Sequence, residues 1–196
     1  MTQLLSLVFL FIAATAFDIN SGVALTPMMV LYLLVFMTAS GVVVIAVDPG
    51  APDVMHRPPR DPKVPITNRA AITLWVVYAA TLFVAALIPL VAGPDDPNTD
   101  VPTASLTMTF VVMELGTVFN ALANRRDPVS GFSSPLLKVL GISLFPVAMI
   151  VLATELPGLQ RGLLTTSLTG HEWLACFGLA ALLPIVIETS KWIRRR

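Results

Sequence analysis

From Met1 onward the chain alternates between long, unbroken apolar runs and short polar interruptions. The runs are Leu4–Phe17, Thr26–Val47, Ala71–Ala92, Ala104–Ala123, Leu136–Thr154 and Leu174–Ile193. Each is about the length that crosses a bilayer as a helix. The second and third are 22 residues each, about 33 Å at 1.5 Å per residue, enough to cross a bilayer. The first is shorter and crosses only with tilt or local thinning. The interruptions have identifiable causes. Asp48-Pro49-Gly50, Gly93-Pro94-Asp95-Asp96-Pro97, Arg125-Arg126-Asp127-Pro128 and Leu156-Pro157-Gly158 place Pro and Gly where a helix has to stop. Pro27, Pro89, Pro146 and Pro184 fall near span ends or inside spans, where neighbouring helices can satisfy the freed carbonyls.

Composition supports the pattern. Of 196 residues 56% are hydrophobic and 12% charged, more apolar surface than a water-soluble fold of this size can hide. The expected fold is an all-α polytopic transmembrane bundle of six helices forming one domain over residues 1–196. It has five helices if the first is a cleaved signal, for which Ala14-Thr15-Ala16 offers a small-residue cleavage site. No Lys or Arg precedes that first run. The loops are too short for a catalytic domain, so function has to reside in the bundle or in a partner.

Net charge is zero, yet the charges are segregated. Eleven of the twelve basic residues fall after the second and fourth spans or in the tail, with Arg161 alone on the other side beside Asp95, Asp96, Asp100, Glu155 and Glu172. Positive residues stay cytoplasmic. The expectation is a multi-pass protein of a bacterial-type plasma membrane with a cytoplasmic C-terminus, and with six spans a cytoplasmic N-terminus as well. Arg194–Arg196 is a short juxtamembrane cluster that serves topology and attracts anionic lipid weakly. Trp75, Trp173 and Trp192, with Tyr78 one turn inside, lie near span ends and read as interfacial anchors. Glu188 and Lys191 are spaced for a helix-end ion pair.

Cys176 is the one cysteine, and His56 and His171 lie in different loops. That excludes an internal disulfide and gives no zinc or haem spacing. Nothing points to nucleic acid, nucleotide or a cofactor. The chemistry-bearing residue is Glu114, an acid in mid-span. A lipid-facing acid at that depth costs about 2.5–3.5 kcal/mol on insertion scales, so Glu114 is expected to face the bundle interior. Thr107 and Thr117 lie seven residues before it and three after, on one helix face. Thr38, Ser40 and Gly41 interrupt the second run near its middle, where small and hydroxyl residues allow close helix approach. These residues and Asn120 form a candidate polar seam. Glu114 reads either as an ion or proton ligand or as an acid hydrogen-bonded to nearby hydroxyls.

One segment is highly specific. Leu25-Thr26-Pro27, then the second run, then Asp53-Val54-Met55-His56-Arg57-Pro58-Pro59-Arg60-Asp61-Pro62-Lys63-Val64-Pro65-Ile66 resembles the sixth membrane helix and following loop of P-type cation-transporting ATPases of the calcium-pump group. The likeness continues: Ala104–Asn120 resembles that family's eighth helix, Pro135–Leu152 its ninth, and Glu172-Trp173 through Ile193 its tenth. The chain thus resembles the family's C-terminal membrane domain, helices five to ten, standing alone. The Asp-Lys-Thr-Gly phosphorylation motif, the hinge and the nucleotide-binding motifs do not occur in it, nor does a Walker-type glycine loop. The resemblance therefore implies no ATP hydrolysis by this chain.

The resemblance also implies where cation ligands would fall. The sixth-helix Asn falls at Leu34, its Asp at Thr38, the Gly after it at Ala39 and the Pro near Gly41. The fifth-helix ligands fall at Ser6 and Phe9, and the eighth-helix acid persists as Glu114. A hard cation needs several oxygens, usually with two carboxylates, so tight calcium binding is not expected and Glu114 is the one candidate metal ligand. Three functions stay open: a non-catalytic membrane subunit or regulator paired with another membrane protein or pump, a stand-alone channel or carrier using Glu114, and an inactive truncated pump fragment. In each the surrounding partner is the lipid bilayer.

Overall fold

The computed structural model describes residues 1–37, 69–94, 104–123 and 136–194. Helix α1 (Thr2–Ala16) turns Leu7, Leu10 and Ala14 inward and leaves Leu4, Val8 and Ile12 exposed. Its inner face lies on α3 (Arg69–Ala92), where Phe9 meets Phe83 edge to face at 6.1 Å. A tight reversal follows. Asp18, Asn20, Ser21 and Gly22 all take positive φ, and Asp and Asn are the non-glycine residues that tolerate it because their short polar side chains bond locally. Here Asn20 Nδ2 donates to the Val23 carbonyl at 3.1 Å.

Helix α2 (Pro27–Tyr32) begins at the Leu-Thr-Pro sequence. Pro27 sits at the first helical position, where its missing N–H costs nothing, and Thr26 Oγ1 accepts from Met29 N–H at 3.2 Å. The same hydroxyl donates to the Leu163 carbonyl at 3.0 Å, so one threonine both caps a helix and ties it to a distant turn. The helix then widens into a π-helical turn over Leu33–Met37.

Helix α4 (Ala104–Ala123) is the axis of the bundle. Every residue from Ser105 to Val118 is buried, and α3 is among the elements that touch it. Gly116 permits the close approach to α3: a Cβ there would stand 2.3 Å from Leu82 Cδ1. Helix α5 (Leu136–Glu155) is followed after a bend of 84° by the short α6 (Pro157–Leu163). The last span is built from α7 (Gly170–Ala180) and α8 (Leu182–Arg194). They part at Ala181 because Pro184 has no N–H to offer the Ala180 carbonyl. A Thr169–Glu172 capping box starts α7, satisfying two of the orphan donors at a helix start. Both α7 and α8 lie against α4, as do α5 and the π-helical turn.

Among the described residues three helices are long and apolar enough to cross a membrane: Ala71–Ala92, Ala104–Ala123 and Gly170–Ile193. A fourth is reached if the bent pair Ser143–Glu155 and Pro157–Leu163 counts as one span. The chain is thus an all-α, multi-pass membrane protein, but the described helices do not reach the expected six spans. The 15 residues of α1 cover about 22 Å, short of the roughly 30 Å of hydrocarbon. Only the beginning of the second expected span, with Pro27–Phe36 as a short apolar helix, lies within the described residues.

At one end of the bundle polar contacts tie three helices. Tyr78 on α3 meets Ser190 on α8 hydroxyl to hydroxyl at 2.5 Å, so this tyrosine is a buried tie between helices and not an interfacial anchor. Lys191 Nζ donates to the Ala123 carbonyl at the end of α4, where the helix dipole favours a cation. It also pairs with Glu188 at 2.7 Å, the ion pair expected from the spacing.

Candidate functional site

Glu114 sits at the middle of α4 with 0% of its surface exposed, and neither carboxylate oxygen meets a hydrogen-bond donor among the described residues. A buried carboxylate needs a cation, a proton or several donors to offset its charge. Among the described residues, aromatic rings gather one turn away. Phe110, one turn earlier on the same face, meets Tyr32 at 5.8 Å with the rings inclined by 61°. Tyr32 also contacts Phe36 at 4.5 Å, and its hydroxyl donates to the Met149 carbonyl on α5 at 2.8 Å. Helices α2, α4 and α5 therefore converge here, and the π-helical turn packs against both α4 and α5. A π-helical turn carries one extra residue and is frequent at functional sites.

The polar seam is divided. Thr107 is fully buried, but its Oγ1 accepts from Thr166 N–H at 3.0 Å and faces Thr166 Oγ1 at 3.4 Å. Thr117 Oγ1 donates to the Met113 carbonyl of its own helix at 2.9 Å. Both share the Glu114 face in sequence, yet these hydroxyls point to the backbone and to a loop. Asn120 is half-buried two turns along. Thr38, Ser40 and Gly41, expected beside Glu114, lie outside the described residues.

The positions matched to calcium-pump ligands are filled differently. Ser6 is buried and donates to the Gln3 carbonyl at 2.8 Å. Phe9 spends its ring on Phe83. Leu34 is 44% exposed, on the outside of the bundle. Among the described residues no group of three or more His, Cys, Asp or Glu side chains could hold a metal ion. Cys176 is buried on α7, its Sγ 3.8 Å from the Met108 carbonyl, and fills space against α4.

Sequence reasoning passed over two features. Tyr32 was readable as the one hydroxyl-bearing aromatic in an aliphatic run, but periodicity assigns it no partner. The threonines at 165 and 166 carry no signal at all, because a threonine in a loop has no period to mark it.

A family described as "Cation transporting ATPase, C-terminus" matches residues 22–193. The chain is 26% identical over 178 residues to "Calcium-transporting ATPase 1" of Schizosaccharomyces pombe, covering 88% of this chain and 19% of that protein. It is 28% identical over 184 residues to "Probable cation-transporting ATPase F" of Mycobacterium tuberculosis, covering 89% and 20%. Against "Calcium-transporting ATPase type 2C member 2" of Rattus norvegicus it is 28% identical over 174 residues, covering 85% and 18%. The chain thus spans about one-fifth of the length of the curated relatives it matches.

Proposed function

Because the chain belongs to the cation transporting ATPase C-terminus family, we propose that it is a non-catalytic membrane component, a subunit or regulator, of a transport complex. The observation that carries this reading is the loss of oxygen ligands at positions matched to the calcium-pump site, within a chain that matches the family's C-terminal part. In this reading phosphorylation and nucleotide chemistry belong to a partner polypeptide. The changed ligand positions support it. Leu34 and Phe9 bring no oxygen to a cation, and a single carboxylate is too few for a hard ion.

The topology that goes with it has six spans and both termini in the cytoplasm. The segregation of basic residues supports it. So does the tie from Lys191 to Ala123, which holds the basic ends of α4 and α8 together. The docking of Leu7, Leu10 and Ala14 into the bundle favours an α1 that is retained.

A second reading, a stand-alone carrier or channel, is favoured by one observation, the buried carboxylate of Glu114, which meets no hydrogen-bond donor among the described residues. Reconstitution separates the two. Liposomes holding the purified chain alone are expected to pass cations no faster than protein-free vesicles. A flux that disappears in Glu114→Gln would replace the subunit reading with the carrier.

A further inference from the structure

The stretch from Leu156 to Thr169 folds back across the end of the bundle where α4 begins, and three threonines fasten it. Thr166 N–H donates to Thr107 Oγ1 on α4 at 3.0 Å. Thr165 Oγ1 donates to the Ala153 carbonyl on α5 at 2.5 Å. The Leu163 carbonyl accepts from Thr26 Oγ1 at the start of α2 at 3.0 Å. Within the strap Leu163 and Leu168 are buried, whereas Leu156 and Leu164 are exposed, so its apolar side chains are split between bundle and surroundings. Leu164 takes a positive φ of 61°, which is unfavourable for a branched side chain. The strap is thus fixed to the same three helices, α2, α4 and α5, that converge on Glu114. Thr107, its anchor on α4, lies on the Glu114 face seven residues away, about 10 Å along the axis.

We propose that this strap is a latched lid: it closes the bundle over Glu114 at the end where α4 begins, and water reaches the carboxylate from that end only when the threonine contacts release. The three threonine bonds, a bond from Gln160 Nε2 to the Thr154 carbonyl at 2.5 Å and two buried leucines hold it. A short segment fastened this way is a unit that can open while the helices stay packed. The inference stands on these contacts and does not depend on whether the chain acts as a subunit or as a carrier.

The test reads access to Glu114 directly. A water-soluble carbodiimide with an amine nucleophile is applied to the full chain in mild detergent, and mass spectrometry follows labelling of the peptide that carries Glu114. Hydrogen exchange over residues 157–169 reports the strap itself. The wild type is expected to label slowly. The double variant Thr107→Val with Thr165→Val loses two latch bonds and is expected to label about tenfold faster, with faster exchange across the strap. Dicyclohexylcarbodiimide, which arrives through the apolar phase, is expected to label both proteins at one rate. Thr107→Ser keeps the acceptor and is expected to match the wild type. Faster strap exchange with no change in water-soluble labelling would overturn the proposal, as would unchanged exchange in the double variant. If the double variant does not fold, Thr165→Val alone gives the same comparison with the same outcomes.

Discussion

Replacing Gly116 tests whether α3 and α4 meet as closely as described. An added Cβ would stand 2.3 Å from Leu82 Cδ1, more than 1 Å inside the usual carbon–carbon separation of about 3.5–4.0 Å. Leu82 is almost fully buried, so it can yield only by repacking, at about 1–3 kcal/mol. Against this, alanine is favoured over glycine within a helix by about 1 kcal/mol. Gly116→Ala should therefore destabilise by a net of about 0–2 kcal/mol. Leu82→Ala alone should cost about 2–5 kcal/mol through the cavity it leaves. In the Leu82→Ala background the new methyl enters vacated space, the clash is gone and the propensity gain remains, so Gly116→Ala should become stabilising by up to about 1 kcal/mol. The cycle thus predicts a coupling of about 1–3 kcal/mol between the two sites. Denaturant unfolding in mild detergent, followed by tryptophan fluorescence, measures all four proteins. Additivity within about 0.5 kcal/mol would refute the contact.

The other predictions concern charge and topology. Glu114→Gln keeps the shape and the hydrogen-bond donor of a protonated carboxyl, so its unfolding free energy should stay within about 1 kcal/mol of the wild type; a Gln variant that fails to fold while Asp is tolerated would contradict this. Lys191→Met should cost about 1–2 kcal/mol because it strips the end of α4 of its donor, whereas Glu188→Gln should cost almost nothing, since Glu188 is 52% exposed and such pairs contribute little. Equal losses in denaturant unfolding would show that the ion pair, and not the Ala123 carbonyl, is the main partner. Cysteines placed at Asp96 and at Arg60 should label from opposite faces of sealed vesicles; labelling from one face would sink the six-span topology. Homogeneous protein should show no vanadate-sensitive ATP hydrolysis in a phosphate-release assay, and its appearance would contradict a non-catalytic role.

The spans over Ala71–Ala92, Ala104–Ala123 and Leu174–Ile193, the last of which starts at Gly170 in the structure, were legible because an apolar run of that length has few other uses. Leu25-Thr26-Pro27 was legible only as part of the family resemblance, and the cap made by Thr26 is visible only in the fold. The interior placement of Glu114 followed from the cost of exposing an acid to lipid. What escaped the sequence depends on tertiary contact. The stretch after Leu156-Pro157-Gly158 reads as an ordinary turn, and only the fold brings Thr165 and Thr166 onto α5 and α4. The shortness of α1 was legible in the run Leu4–Phe17, and the reversal at Asp18 ends the helix there. Thr107 and Thr117 were rightly placed on one face of α4, but spacing could not show that these hydroxyls would engage Thr166 and the backbone.

The central claim is that the chain works as a non-catalytic part of a larger transport assembly. Native mass spectrometry of the complex, extracted from its own membranes in mild detergent, tests it most directly. The account predicts a particle well above the 21.0 kDa of one chain, containing a second membrane polypeptide in fixed stoichiometry that bears a phosphorylatable aspartate and a nucleotide-binding domain. A particle of 21.0 kDa, or of whole multiples of it with no second polypeptide, would contradict it.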